Sequence, residues 1–148
     1  MGGLTLPCLS TVALLTGLLS SIMSPVSACR CLPLTKPQQF CDSSFAVKAK
    51  VITVTPPPLG ISDQLFKTKI KIMKVFKSDS DLHPGNTLFL TSPSSSISSC
   101  GVTLTENTIY FLTGKSNPPS SIDLCDWISE WSSMTKKEKK GVSGRYQC

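Results

Sequence analysis

In Phe45-Ala46-Val47-Lys48-Ala49-Lys50-Val51-Ile52 the two lysines fall on one side of an extended chain, and Phe45, Val47, Ala49 and Val51 fall on the other. Alternation with a period of two is the signature of a half-buried strand, because successive side chains point to opposite faces. Downstream, Lys67, Lys69 and Lys71 alternate with Thr68, Ile70 and Ile72, but Met73-Lys74-Val75-Phe76 reverses which parity is polar. A phase change inside one run predicts a bulge or a strong bend, as closed barrels need. Further strands are expected at Thr87 to Thr91, Val102 to Thr105 and Thr108 to Thr113, and five short strands suit a small barrel. Thr55-Pro56-Pro57-Pro58-Leu59-Gly60 lacks three consecutive amide donors and reads as a projecting loop, as does the serine-rich run Ser92 to Ser99. Near the end, Asp126-Trp127-Ile128 and Trp131 carry helical spacing. Thr135-Lys136-Lys137-Glu138 reads as a capping box before a short helix stopped by Gly141. No internal repeat and no second domain is legible.

The chain has 148 residues with a net charge of +6, only 16% charged residues, seven cysteines and one histidine. A typical globular protein is about 25% charged. Leu4 to Met23 is apolar and uncharged, and Val26-Ser27-Ala28 supplies small side chains, which predicts a secretory signal (residues 1–28) cut after Ala28. No later run reaches the roughly 18 to 20 apolar residues of a membrane span. Cleavage discards Cys8 and leaves residues 29–148 with six cysteines: Cys29, Cys31, Cys41, Cys100, Cys125 and Cys148. In an oxidising compartment these predict three disulfides, although the roughly 15 possible pairings stay open. Structural zinc fits poorly, since no Cys-x-x-Cys pair exists and the single histidine sits in the turn-like His83-Pro84-Gly85.

Hydrolytic catalysis has little support. There is no His-Glu-x-x-His, no Gly-x-Ser-x-Gly and no phosphate-cradling glycine loop, and Asp79 with Asp81 reads as a solvated loop. Lys67, Lys69, Lys71, Lys74 and Lys77, with Lys136, Lys137, Lys139 and Lys140, offer polyanions such as glycosaminoglycans a basic surface. The chemistry concentrates at Cys29. Cleavage frees its α-amine, whose ordinary pKa of about 7.7 to 8.0 leaves a neutral, metal-binding fraction near physiological pH. With its own carbonyl oxygen this amine closes a five-membered chelate. A catalytic zinc keeps one coordination position open, so the group suits the metal of another protein.

Cys29-Arg30-Cys31-Leu32-Pro33, then Phe40-Cys41 and Ser44-Phe45-Ala46-Val47-Lys48-Ala49-Lys50-Val51, resembles the start of the tissue inhibitors of metalloproteinases. Ser95-Ser96-Ile97-Ser98-Ser99-Cys100-Gly101-Val102, Tyr110-Phe111-Leu112-Thr113-Gly114-Lys115, Leu124-Cys125-Asp126-Trp127 with Trp131, and Arg145-Tyr146-Gln147-Cys148 follow in the family's order. The resemblance implies a mainly β fold, a five-stranded OB-like barrel of the netrin-like type with short helices. By cysteine order it implies the pairs Cys29 to Cys100, Cys31 to Cys125 and Cys41 to Cys148.

The implied activity is secreted inhibition of zinc metalloendopeptidases of the matrix metalloproteinase type. The Cys29 amine and carbonyl would displace the water of the protease's zinc, the nucleophile of hydrolysis. Arg30 would enter the specificity pocket, Leu32 and Pro33 would lie along the substrate groove, and Ser98 and Ser99 beside Cys100 would fill its other side. The inhibitor needs no cofactor of its own. Where Arg30 stands, familiar members carry a small residue, so a deep polar target pocket or weak inhibition of common matrix enzymes is expected. The Pro-Gln pair also falls one place late, at Pro37-Gln38. The family's C-terminal domain is expected to be absent. The competing expectation is a netrin-like module that binds glycosaminoglycan, matrix or a receptor through its lysines with little inhibition. A nucleic-acid-binding barrel is opposed by the signal sequence and the shortage of paired surface aromatics.

Overall fold

The protein is described by a computed structural model, which covers residues 29–58, 65–93 and 99–148. In chain order its elements are helix α1 (Lys36–Asp42), strands β1 (Phe45–Thr55), β2 (Leu65–Ser78), β3 (Thr87–Pro93), β4 (Ile109–Gly114) and β5 (Ile128–Glu130), helix α2 (Lys136–Lys140), and a π-helical turn over Gly141–Arg145. The strands form one antiparallel sheet in the order β3-β2-β1-β4-β5. The mainly β class read from the alternation therefore holds.

Both faces of β4 and of the start of β1 are covered. Phe45, Val47, Ala49 and Val51 of β1 join Ile70, Ile72, Leu90, Leu104, Tyr110, Leu112 and Ile122 in the inner core. On the opposite face, Ala46 and Phe111 pack with Phe40 of α1, Trp127, Met134 and Val142 in a second cluster. The Phe111 and Trp127 rings meet edge to face, 4.7 Å between centroids. β4 is buried along almost its whole length, which explains its run of apolar residues without alternation.

The phase change in β2 is a register shift. Lys74 stands opposite Lys48 and Ile72 opposite Ala49, so Met73 has no partner on β1. One extra residue turns every following side chain over and bends the strand. Further shifts fall between Ala46 and Val47 and between Val51 and Thr53. The resulting barrel is not closed: among the described residues no ladder joins β3 to β5. Instead, residues 120–122 lace the gap. Thr91 N–H donates to Ser120 O at 2.9 Å, Ile122 N–H to Thr91 O at 3.0 Å, and Lys115 and Ser121 exchange two bonds of 3.0 Å. Gly114 permits this approach, because a Cβ there would lie 2.5 Å from Ser121 O and 2.6 Å from the Phe45 ring.

Two expectations need correction. Val102 to Thr105 is not a strand. Leu104 is buried and Val102 packs on the core from irregular backbone, held by Val102 N–H to Ser92 Oγ at 2.9 Å. The alternation there seals the end of the sheet without pairing. The fifth strand is Ile128–Glu130, in the stretch whose spacing suggested a helix. So short an isolated helix is unstable, and the edge of β4 takes the chain instead. Trp127 N–H donates to Thr113 Oγ1 at 2.8 Å, and Thr113 N–H donates to Trp127 O at 3.1 Å.

The helix after Thr135 is as expected, with Glu138 N–H on Thr135 Oγ1 and Thr135 N–H on Glu138 Oε2. Beyond Gly141 the chain turns on until Gly144, whose φ of 142° suits glycine. Helix α1 was not anticipated from the sequence. Its signal is Thr35-Lys36-Pro37-Gln38, a second capping box with proline in the first turn.

Candidate functional site

Three disulfides tie the N-terminal segment and α1 to turns at Cys100 and Cys125 and to Cys148. They join Cys29 to Cys100, Cys31 to Cys125 and Cys41 to Cys148, with Cα–Cα distances of 4.9, 5.2 and 5.2 Å. This is the pairing that the family resemblance implies. The first two bridges touch, with Cys29 Sγ 3.8 Å from Cys125 Sγ. The sulfurs of Cys29, Cys31 and Cys125 lie within 4.8 Å of one another, a spacing that metal ligands also adopt. All three are oxidised in these bridges, however, and a disulfide sulfur is not the thiolate a metal needs.

The double staple assembles three separate segments into one ridge. Cys29 to Pro33 runs through it, with Ser99-Cys100 and Leu124-Cys125 beside it. Cys29 N donates to Ser99 Oγ at 2.6 Å, and Leu124 N–H donates to Cys100 O at 2.9 Å. Arg30, Cys31, Leu32 and Pro33 are all exposed, with Leu32 at 74%. Ser98 lies outside the described residues. Leu124, 56% exposed, is a ridge residue that sequence reasoning did not single out. Its neighbour Cys125 was the available signal, but only the pairing with Cys31 brings Leu124 beside Cys100.

Behind the ridge the backbone is held by side chains. Gln39 Nε2 of α1 donates to Cys125 O at 3.0 Å. Asp123 Oδ1 accepts from Cys125 N–H, and Asp126 Oδ2 accepts from Asp123 N–H. Burial pushes the Asp126 carboxyl up to about 6, partly opposed by that Asp123 N–H. At the start of α1, Lys36 pairs with Glu138 of α2. The Lys36 hydrogen bond and the Thr135 N–H hold Glu138 down at about 2. A cleft of about 350 Å³ between β2 and the Gly141–Arg145 turn contains no ridge residue. The ridge keeps residues 30–33 and Leu124 exposed, suited to contact with a groove on another molecule.

Comparison with known proteins bears on what that groove belongs to. The chain is similar to metalloproteinase inhibitor 2 of Canis lupus familiaris, 31% identical over 88% of this chain and 61% of the relative. It is 30% identical to metalloproteinase inhibitor 2 of Gallus gallus over 99% of this chain and 68% of that protein. Metalloproteinase inhibitor 3 of Scyliorhinus torazame is also 30% identical, over 93% and 64%. The chain spans about 61% of the length of several of these curated relatives. The family model described as tissue inhibitor of metalloproteinase matches residues 27–148. That interval holds the stapled ridge and all five strands, and the chain belongs to the tissue inhibitor of metalloproteinase family.

Proposed function

We infer that the protein is a secreted inhibitor of zinc metalloendopeptidases, released by cleavage after Ala28. The freed amine and the carbonyl oxygen of Cys29 take two positions on the target's catalytic zinc and exclude its water. The observation that carries this reading is the placement of the Cys29 nitrogen. It sits on an exposed edge, fixed on one side by the bridge to Cys100 and on the other by the bond to Ser99 Oγ. A ligand already held in position loses little ordering entropy on binding. Arg30 then enters the pocket beside the metal, Leu32 and Pro33 follow one side of the substrate groove, and Ser98 to Cys100 with Leu124 follow the other. The named activity of the relatives, metalloproteinase inhibition, supports the same reading.

The test begins with mass spectrometry on the protein secreted by expressing cells, where a chain starting at Cys29 is expected. Titration against a panel of zinc endopeptidases follows, with a second form carrying one extra alanine before Cys29. Inhibition by the first form alone is the expected result. Equal potency of the two forms would overturn chelation, and no inhibition by either would leave a netrin-like binding module.

A further inference from the structure

We propose that the two ridge bridges form a thiol-exchange site, where a small thiol enters at Cys31 and the cysteines swap partners to Cys29–Cys125 and Cys31–Cys100. Cys29 and Cys125 belong to different bridges, yet their sulfurs lie 3.8 Å apart. The sulfurs of Cys29, Cys31 and Cys125 form one group, which includes neither Cys41 nor Cys148. Leu124 N–H donates to Cys100 O at 2.9 Å and brings the fourth cysteine alongside. Two bridges packed so closely offer their sulfurs a second partner.

Exposure selects where the reaction starts. Cys31 is exposed, whereas Cys29, Cys100 and Cys125 are half-buried. A thiolate attacks a disulfide through a mixed disulfide, and access helps decide which sulfur is struck. In the first step the incoming thiolate bonds to Cys31 Sγ, the Cys31–Cys125 bond breaks, and its electron pair leaves on Cys125 as a thiolate. In the second, Cys125 Sγ crosses the 3.8 Å gap, bonds to Cys29 Sγ and expels Cys100 as a thiolate. In the third, Cys100 bonds to Cys31 Sγ and releases the incoming thiol. Nothing is oxidised or reduced overall, so the thiol is a catalyst and no oxidant is needed. A thiolate held beside a disulfide acts at an effective concentration far above that of a millimolar thiol in solution. The second step therefore outruns attack by another external thiol.

The exchange reaches the ridge because it moves the tie on Cys29. In the native pairing the bridge to Cys100 keeps Cys29 N on the hydroxyl of the adjacent Ser99. In the crossed pairing Cys100 holds Cys31 instead, and Cys29 is drawn to Cys125. The segment from Cys29 to Pro33 is then shifted against Ser99-Cys100 while both of its cysteines stay bridged. The loss of inhibition expected from this shift rests on the chelation reading above, but the exchange itself does not.

The sequence supplies a direct readout. Trypsin cuts after Arg30, which separates Cys29 from Cys31, and after Lys77, Lys115 and Lys136, which puts Cys100 and Cys125 on different peptides. The secreted protein is incubated with millimolar reduced glutathione near neutral pH and quenched with acid. Free thiols are then alkylated, and the digest is mapped by mass spectrometry. The peptide ending at Arg30 is expected to move from the peptide Ser78 to Lys115 onto the peptide Ser116 to Lys136. This transfer should run about tenfold faster than opening of the Cys41–Cys148 bridge, which has one exposed end but lies outside the sulfur group. Protease inhibition should fall with the same half-time. An Arg30-ending peptide released only in alkylated or glutathionylated form overturns the proposal, and so does scrambling that draws in Cys41 and Cys148 equally. A crossed form that inhibits as strongly as the native one overturns the effect on the ridge. Absence of inhibition before any thiol is added would instead sink the inhibitor reading, and the peptide map would still decide the exchange.

Discussion

The segment from Cys29 to Pro33 and the strand β1 that follows it are held in place by different means. In β1, Phe45, Val47, Ala49 and Val51 are fully buried and the neighbouring strands fix the backbone. In the ridge, residues 30–33 are exposed and belong to no strand, and covalent bridges do the fixing. On the proposed function the ridge enters another protein's groove, and such a surface cannot bury its own apolar groups beforehand. Disulfides rigidify such a segment without hiding it. The comparison also separates two kinds of damage, one to the fold alone and one to fold and ridge together.

The largest effects should make that separation visible. Phe45→Ala should cost about 3 to 5 kcal/mol of stability by opening a core cavity. The paired change Cys31→Ser with Cys125→Ser should cost on the order of 4 kcal/mol in the chain-entropy model. Denaturant melts check both. Titration of the remaining folded protein should then show unchanged inhibition for Phe45→Ala and weakened inhibition for the double serine variant. If both variants inhibit alike once folding is corrected for, the bridge at Cys31 does not organise the ridge.

Next in size is the alanine placed before Cys29. It should raise the inhibition constant about 100-fold or more, roughly 2.7 kcal/mol, and leave the melting temperature where it was. Arg30→Thr should redistribute potency across a protease panel by about tenfold, near 1.4 kcal/mol. It removes a long cation from the segment assigned to the specificity pocket, and a flat profile would mean that Arg30 stays in solvent.

The smallest effect tests the junction between the two regions. Asp126 has its folded-state value raised from 3.8 to about 6. Its contribution to stability is therefore complete below about pH 3.8 and is lost as pH rises through about 6, where the half-buried group must ionise. Asp126→Asn should raise stability by about 1 kcal/mol at pH 7.5, a figure discounted for partial exposure, and by little at pH 3. A shift of equal size at both values would mean that the gain does not come from ionisation.

Legibility of the fold followed from how local its causes were. The alternation of Phe45 to Ile52 identified β1, and the parity reversal at Met73 marked the register shift, since both record which side faces the core. The capping box at Thr135 is a local hydrogen-bond pattern and was equally readable. Where tertiary pairing decides, local signals misled. Trp127, Ile128 and Trp131 have helical spacing because the first is buried under Phe111 while the last stacks on Phe76, with a strand between them. Val102 and Leu104 alternate because they cap the core, and Leu124 reaches the ridge only through the distant bridge at Cys125. Cys29 was legible from its place after the expected cleavage point, whereas Arg30 to Pro33 were marked only by the family resemblance.

The spacing of the disulfides has a consequence for the order of folding. Their partners are separated by 71, 94 and 107 residues, and every bridge begins within the short stretch from Cys29 to Cys41. The part of the domain that leaves the ribosome first therefore stays unsecured until Cys100, Cys125 and Cys148 have followed it. Contacts so distant along the chain form late, after the loops between them have closed. During that interval the early cysteines remain open to wrong partners and depend on thiol exchange to be corrected. Production of correctly bridged protein is thus expected to depend on the oxidising power and isomerase supply of the compartment in which it folds.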